Sequence, residues 1–197
     1  MPQDDARGRW NRRYQGGDVT QEPDPFVVAQ ATRLPRTGCA LDVAGGAGRH
    51  AIWLARRGLD VTLIDVSDEA CALATKRADT AGVAVAVVRT DLDVDPLPPG
   101  RWDVVLVVRY LDREVIAAAP DLLAPGGLFV FTQPTLRNLE RHDRPERPWL
   151  LEPGELAGLV RGLRDVEVVE LTEGWTPEGR HEARVVLRAA FRDGDVA

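Results

Sequence analysis

The stretch that decides the fold is Leu41-Asp42-Val43-Ala44-Gly45-Gly46-Ala47-Gly48, which joins an apolar segment to a helical one. Residues 39–43 are apolar enough for a buried strand, and residues 48–57 have the apolar spacing of a helix that ends at Gly58. Glycines in such a turn let the backbone approach a ligand closely. The N-terminus of the following helix offers N–H groups to an anion. We therefore expect a ligand at the carboxyl end of the first strand.

The alternation of strand and helix continues along the chain. Strands are predicted over 39–43, 60–65, 83–88, 102–108 and 128–132, with helices over 26–34, 48–57, 68–81, 112–119 and 153–164. The last two strands, 166–172 and 182–190, have only a loop between them, which is too short for a crossover helix, so they should pair antiparallel. The sequence predicts a doubly wound α/β fold, with a mostly parallel seven-stranded sheet, a C-terminal antiparallel hairpin and helices on both faces.

Length, composition and net charge limit the class of protein. A length of 197 residues with 44% hydrophobic and 28% charged residues predicts a single domain over 1–197. We assign 1–20 to an N-terminal arm and 133–149 to a substrate-side loop. The net charge of −6 argues against a nucleic-acid partner, because nucleic-acid affinity depends on neutralising phosphates with basic side chains.

Targeting and metal-binding signals do not stand out in the sequence. The N-terminal segment is polar and lacks the apolar core of a signal peptide, and the apolar runs are shorter than a membrane span requires. The two cysteines and three histidines are scattered, so no metal site is expected. We expect a cytoplasmic protein with no membrane partner, either a monomer or a homodimer.

The glycine turn by itself leaves two classes of ligand open. Residues 46–51 also fit G-x-G-x-x-[G/A], the dinucleotide fingerprint, and Asp65 at the end of the second strand suits ribose hydroxyls in either class. Three features favour a methyl donor over a nicotinamide dinucleotide. Asp42 places a carboxylate directly before the glycines, Asp91-Leu92 follows the third strand where an adenine amino group needs an acceptor, and the chain closes with a hairpin.

Five segments carry a resemblance to a known family. They are LDVAGGAGRHAIWLARRG (41–58), VTLIDVS (61–67), TDLDVDPLP (90–98), WDVVLVVRYLDR (102–113) and LLAPGGLFVF (122–131). Together they resemble the successive motifs of class I (Rossmann-like) methyltransferases that depend on S-adenosylmethionine. Within that group the chain is similar to the small bacterial tellurite-resistance and thiol methyltransferases. The resemblance covers roughly residues 9 to 190, and residues 10–14 are similar to the arm that those enzymes fold over the cofactor.

The resemblance implies a cofactor, a class of reaction and a set of residues. The cofactor is S-adenosylmethionine, with S-adenosylhomocysteine as product, and the acceptor is a small molecule such as a thiol, a chalcogen oxyanion or a small acid. Asp42 would lie near the methionyl ammonium, Asp65 near the ribose and Asp91 near the adenine. The implied cofactor-binding residues are Tyr14, Asp42, Ala44, Gly45, Gly46, Gly48, Arg49, Asp65, Val66, Asp91, Leu92 and Arg109.

Candidates for the chemistry itself are Arg109 and Tyr110, which end the fourth strand, and His142 in the charged loop. Arg109 either contributes to the site or forms a surface salt bridge with Asp112 or Glu114. His142 is either a general base, an anion contact or a solvated loop residue. Tyr14 either stacks on the sulfonium or anchors the arm.

One position in the turn departs from the family pattern. Ala44 stands where the family commonly has glycine, and an alanine is tolerated there without strain if its φ is negative. Two other functions stay open at this stage. The first alternative is an NAD(P)-binding oxidoreductase, and the second is a domain that binds S-adenosylmethionine without catalysing a reaction.

Overall fold

The computed structural model describes residues 6–16 and 19–191. The chain divides into two compact units, Met1–Gly100 and Arg101–Ala197, and each is described in turn. Within the described residues, no helix is long and apolar enough to cross a membrane. The same residues contain no group of three or more His, Cys, Asp or Glu side chains that could hold a metal ion.

The first unit is built from helices and three parallel strands. Its elements in chain order are α1 (Ala6–Gln15), α2 (Pro25–Ala29), β1 (Cys39–Val43), α3 (Arg49–Ala55), β2 (Asp60–Asp65), α4 (Asp68–Ala81) and β3 (Val85–Arg89). β2 lies between β1 and β3, and both pairs are parallel. Val43 is opposite Ile64, and Asp65 is opposite Arg89, so all three strands end at the same edge.

The helix α4 shows how local sequence fixes an element. The Ser67 hydroxyl caps its N-terminus by accepting a hydrogen bond from the Ala70 N–H at 3.1 Å. Three alanines, Ala70, Ala74 and Ala78, are buried at helical spacing. Gly82 ends the helix in the left-handed conformation, with φ of +67°.

The N-terminal arm predicted over 1–20 contains a helix, α1, where it is described. Arg7 forms an ion pair with Asp68 at 2.6 Å, and Gln15 donates a hydrogen bond to Glu69 at 3.1 Å. Asn11 accepts a hydrogen bond from the Ser67 hydroxyl at 2.7 Å. These contacts join α1 to the first turn of α4 through polar side chains. Residues 1–5 and 17–18 of the predicted arm lie outside the described residues.

The second unit contains the remaining four strands. Its elements are β4 (Trp102–Val108), α5 (Arg113–Ala117), α6 (Ala119–Leu122), β5 (Leu123–Pro134), two 3₁₀ helices (Leu136–Glu140 and Arg147–Trp149), α7 (Glu155–Arg161), β6 (Val166–Trp175) and β7 (His181–Ala189). β4 and β5 are parallel, whereas β7 pairs antiparallel with both β5 and β6. The described residues therefore contain seven strands in a mostly parallel sheet with a C-terminal antiparallel hairpin. The predicted fold class is confirmed.

The largest difference from the sequence prediction concerns β5. The strand was expected at 128–132 after a Pro125-Gly126-Gly127 turn, but it runs from Leu123 to Pro134. The pairing with β4 shifts register between Trp102 and Val104, so the Pro-Gly-Gly segment lies within an irregular stretch of the strand. At the other end, Gln133 and Pro134 are buried strand residues, although the sequence suggested a loop from 133 onward.

The turn between β1 and α3 contains an alanine in the left-handed region. Ala44 has φ of +51°, so the condition for an unstrained alanine, a negative φ, is not met. The Gly45 N–H donates to the carbonyl of Ile64 at 3.1 Å, which holds the turn against the end of β2. This contact continues the pairing with β2 one step beyond Val43, while the left-handed conformation at Ala44 turns the chain away from the strand. An L-residue in this conformation costs about 1–2 kcal/mol.

Replacing this alanine should therefore stabilise the protein. We expect Ala44→Gly to raise the free energy of unfolding by about 0.5–1 kcal/mol, because the relief of strain exceeds the added entropy of glycine in the unfolded chain. The measurement is urea denaturation followed by circular dichroism. Ala72→Gly is the matched control, because Ala72 is exposed within α4 and the same change there should destabilise by about 1 kcal/mol. Equal destabilisation by both changes would contradict the strain at Ala44.

Candidate functional site

Two buried carboxylates organise the ends of β1 and β2 in the first unit. Asp65 accepts hydrogen bonds from the Gly46 N–H and from the Ser67 N–H, each at 2.9 Å. Asp42 accepts one from the Ala51 N–H at 3.1 Å. Asp42 and Asp65 therefore fix the glycine turn and the starts of α3 and α4. Each carboxylate oxygen can accept more than one hydrogen bond, so these contacts leave Asp65 able to accept a ribose hydroxyl.

Burial changes the ionisation of both carboxyls. Desolvation raises the pKa of Asp42 to about 7, against the opposing effects of the Ala51 N–H and the Arg49 charge. Desolvation also raises the pKa of Asp65, and the N–H groups of Ser67 and Gly46 act in the opposite direction. The Oδ1 atom of Asp42 is buried and has no hydrogen-bond partner among the described residues. A buried acceptor without a partner is unfavourable in the protein alone, and a cationic ligand group would relieve it.

The glycine turn is closely packed on both sides. A Cβ atom added to Gly45 would lie 2.7 Å from an oxygen of Asp42 and from a carbon of Leu63. A Cβ on Gly46, which has φ of +57°, would collide with the Tyr14 hydroxyl. Tyr14 thus reaches the turn from α1. Burial, followed by the charge of Asp65, raises the pKa of this tyrosine to about 12, so its hydroxyl is protonated at neutral pH.

The segment before α2, residues 19–24, forms hydrogen bonds with side chains of α3 and α4. Arg49 donates to the carbonyl of Glu22 at 3.2 Å, and Arg77 donates to the carbonyl of Val19 at 3.0 Å. The Nε2 atom of His50 accepts a hydrogen bond from the Asp24 N–H at 3.1 Å. His50 is buried, and this contact gives it a structural role. Sequence reasoning did not anticipate residues 19–24 here, because that polar segment has no periodic pattern.

The residues after β2 and β3 complete this edge of the first unit. Val66 and Leu92 are both partly exposed, at positions where they can contact a ligand. The Thr90 N–H donates a hydrogen bond to the carbonyl of Asp65 at 2.9 Å. Asp91 is the next residue along the chain and therefore lies beside the end of β2. Its carboxylate also accepts a hydrogen bond from the Asp93 N–H at 3.2 Å. These residues stay predicted cofactor contacts.

Arg109, Tyr110 and His142, the candidates for the chemistry, belong to the second unit. Arg109 forms an ion pair with Glu182 at 3.5 Å, a partner that the sequence did not suggest. The Tyr110 hydroxyl lies 3.5 Å from a carboxylate oxygen of Asp112, the residue that caps α5. His142 is exposed, and its Nε2 atom lies 2.8 Å from the carbonyl of Gly179 in the hairpin turn. This contact favours a role for His142 in holding the loop.

The first-unit residues fit S-adenosylmethionine. That molecule carries an ammonium, a carboxylate, a ribose and an adenine. The unpartnered oxygen of Asp42 suits the ammonium, and Asp65 lies where two parallel strands end, the usual place for a ribose in such sheets. The Tyr14 hydroxyl packs on Gly46 and leaves no room for a side chain at that position.

Comparison with known proteins agrees with this chemistry. A family model described as a methyltransferase domain matches residues 40–127. A ubiquinone biosynthesis O-methyltransferase from Burkholderia cenocepacia is 29% identical over 157 residues, which cover 67% of this chain and 66% of the relative. Another from Paramagnetospirillum magneticum is 33% identical over 159 residues, covering 75% of this chain and 53% of the relative. The chain thus spans between half and two thirds of the length of these curated relatives.

A solved structure shows the same fold at lower identity. TehB from Haemophilus influenzae superposes with a TM-score of 0.67 at 17% identity, over 93% of this chain and 66% of that one. At this identity the likeness concerns the fold alone. Residues 40–127 of this chain are therefore similar to a methyltransferase domain, and the seven-stranded fold and the buried carboxylates agree with that similarity.

Proposed function

We propose that this chain transfers a methyl group from S-adenosylmethionine to a small-molecule acceptor. The observation that carries the proposal is the pair of buried carboxylates, Asp42 and Asp65, at adjoining strand ends around a glycine turn. The relatives named ubiquinone biosynthesis O-methyltransferases favour a small acceptor. The sequence resemblance keeps a thiol, a chalcogen oxyanion or a small acid within the proposal.

In this proposal the first unit binds the cofactor. Asp42 binds the methionyl ammonium, Asp65 the ribose hydroxyls and Asp91 the adenine amino group. Tyr14, neutral because of its raised pKa, covers the glycine turn from α1 and shields it from water. The other predicted contacts are Ala44, Gly45, Gly46, Gly48, Arg49, Val66, Leu92 and Arg109.

The cofactor supplies an electrophilic methyl group on a sulfonium, and the protein supplies binding, orientation and electrostatics. Holding two reactants in line lowers a barrier by up to about 7–11 kcal/mol. A thiolate or an oxyanion carries its own lone pair and needs no strong base, whereas an alcohol or phenol needs proton removal. Arg109, Tyr110 and His142 stay the candidates for assisting the acceptor, and the exposure of His142 makes it the weakest of the three.

The remaining sequence predictions extend the proposal. We propose that 1–197 acts as a single catalytic domain, with 133–149 on the substrate side, as a monomer or homodimer in the cytoplasm.

The family match disfavours the NAD(P)-dependent alternative. Calorimetry with S-adenosylhomocysteine and with NADH separates the two, and we expect binding of the former only. Transfer of labelled methyl to thiols, catechols, tellurite and small acids then tests catalysis, and binding without turnover of any acceptor would instead indicate a non-catalytic domain.

The role of Asp65 has a direct test. Asp65→Ala should weaken the binding of S-adenosylhomocysteine by about 1–3 kcal/mol, because hydrogen bonds to the charged carboxylate are lost. Calorimetry measures the affinity, and thermal unfolding shows whether the fold is intact. Asp60→Ala is the matched control, because Asp60 is an exposed residue at the other end of β2. Unchanged affinity in Asp65→Ala would show that Asp65 is not the ribose contact.

The raised pKa of Asp42 predicts a pH dependence of cofactor binding. An ammonium group favours the ionised carboxylate, so affinity should fall by about tenfold from pH 8 to pH 6 as Asp42 takes up a proton. Calorimetry across this range is the measurement, and Asp42→Asn should bind weakly and lack this component. A profile that Asp42→Asn leaves unchanged would assign the titration to another group.

The same pKa shift affects stability with a defined sign. The folded pKa of about 7 lies above the ordinary value of 3.8, so the folded protein binds this proton more tightly than the unfolded chain. The contribution of Asp42 to the free energy of unfolding is therefore greatest at low pH, and it is lost as the pH rises through 7. Bound cofactor would offset this loss, because its ammonium stabilises the ionised form.

A further inference from the structure

A buried carboxylate in the second unit is shared by two arginines. Glu182, at the second position of β7, is 3% exposed in its side chain. One of its oxygens lies 3.5 Å from a guanidinium nitrogen of Arg109. The other accepts hydrogen bonds from Arg184 and from the Thr132 hydroxyl, each at 3.2 Å. Glu182 therefore fixes the positions of both guanidinium groups.

The cluster lies at the carboxyl end of two parallel strands. Val108 of β4 is opposite Thr132 of β5, and Thr132 is opposite Arg184 of β7. In open α/β sheets, ligands bind beyond the carboxyl ends of the strands. Thr132, Glu182 and Arg184 point to one face of the sheet, because side chains two residues apart in a strand share a face.

The backbone of Arg109 supports a functional role for the cluster. Arg109 directly follows β4 and has φ of +60°, which is rare for a long side chain. Its N–H donates to the carbonyl of Thr132 at 2.8 Å, which holds the strained conformation in place. Such strain persists only where the surroundings enforce it, and it concentrates at ligand-binding sites.

The charges of the cluster favour an anionic ligand. The side chains of Arg109 and Arg184 are 31% and 21% exposed, so both stay accessible beside their buried counter-ion. Two guanidinium groups around one buried carboxylate give the cluster a net positive charge.

We propose that Arg109 and Arg184, oriented by Glu182, bind an anionic oxygen group of the methyl acceptor, so that the preferred acceptors are acids. Glu182 is a positioning residue. This inference rests on the proposed methyl transfer, since it names the class of acceptor. Guanidinium and carboxylate groups are matched in geometry, which gives such a subsite its specificity.

The test uses pairs of acceptors in which a carboxylate is replaced by a neutral alcohol. One pair is 3-mercaptopropionate and 3-mercapto-1-propanol, and the second is 3,4-dihydroxybenzoate and 3,4-dihydroxybenzyl alcohol. Methyl transfer from labelled S-adenosylmethionine gives kcat and KM for each. We expect the full chain to prefer the acid of whichever pair it methylates. Ligand-detected nuclear magnetic resonance of the same four compounds, with S-adenosylhomocysteine present, measures binding when neither pair is methylated.

The variants test the guanidinium charge and its orientation by Glu182 separately. Arg184→Gln and Glu182→Gln should each raise KM for the acid about tenfold, the scale of one charged hydrogen bond, while KM for the neutral partner stays constant. Arg188→Gln is the control, because Arg188 lies toward the other end of β7 and should change neither value. The binding measurements should follow the same order.

Two results would overturn the inference. One is equal preference for acid and neutral partner in both turnover and binding. The other is a matching loss for both partners in Glu182→Gln, which would mean that Glu182 serves the fold alone. Calorimetry with S-adenosylhomocysteine on each variant checks cofactor binding separately. Normal cofactor binding, selective acid binding and no turnover would retain the anion subsite and reject the proposed methyl transfer.

Discussion

The Asp65 carboxylate accepts the two hydrogen bonds on which the first unit depends. One oxygen accepts from the Gly46 N–H and the other from the Ser67 N–H, so a single side chain joins the glycine turn to the residue that caps α4. Ser67 in turn donates to Asn11 of α1. The turn, the cap and the N-terminal helix are thus linked through one buried group, and a change in any of them reaches the others.

The burial of the two carboxylates at these strand ends favours the binding of a ligand with complementary groups. Asp42 and Asp65 are both desolvated, which raises the pKa of each and makes the ionised form unfavourable without a partner. A protein selected for stability alone would place apolar residues at these strand ends. Retaining two carboxylates there is consistent with a ligand that carries complementary groups. The energetic cost in the free protein then becomes part of the binding free energy.

The sequence predicted the strands well where periodicity was strong, as in the apolar run of β4 and the β-branched residues of β2. It failed where tertiary contacts override local pattern. Gln133 looks like a loop residue, but pairing of β5 with β7 carries the strand through it. The ion pair of Arg109 with Glu182 joins residues 73 positions apart, and no local rule links them. Likewise, nothing in residues 19–24 indicates their contacts with Arg49 and Arg77.

Ala44 and Arg109 occupy equivalent places in their units. Each is the first residue after a parallel strand, β1 or β4, and each is a non-glycine residue in a region that glycine prefers, with φ of +51° and +60° respectively. In both, a backbone N–H bonds the neighbouring strand, from Gly45 to Ile64 and from Arg109 to Thr132. Pairing therefore continues one step beyond the regular strand while the chain turns away. The same backbone conformation leaves a turn without bulky side chains after β1, where we propose the cofactor, and a charged side chain after β4, where we propose the acceptor.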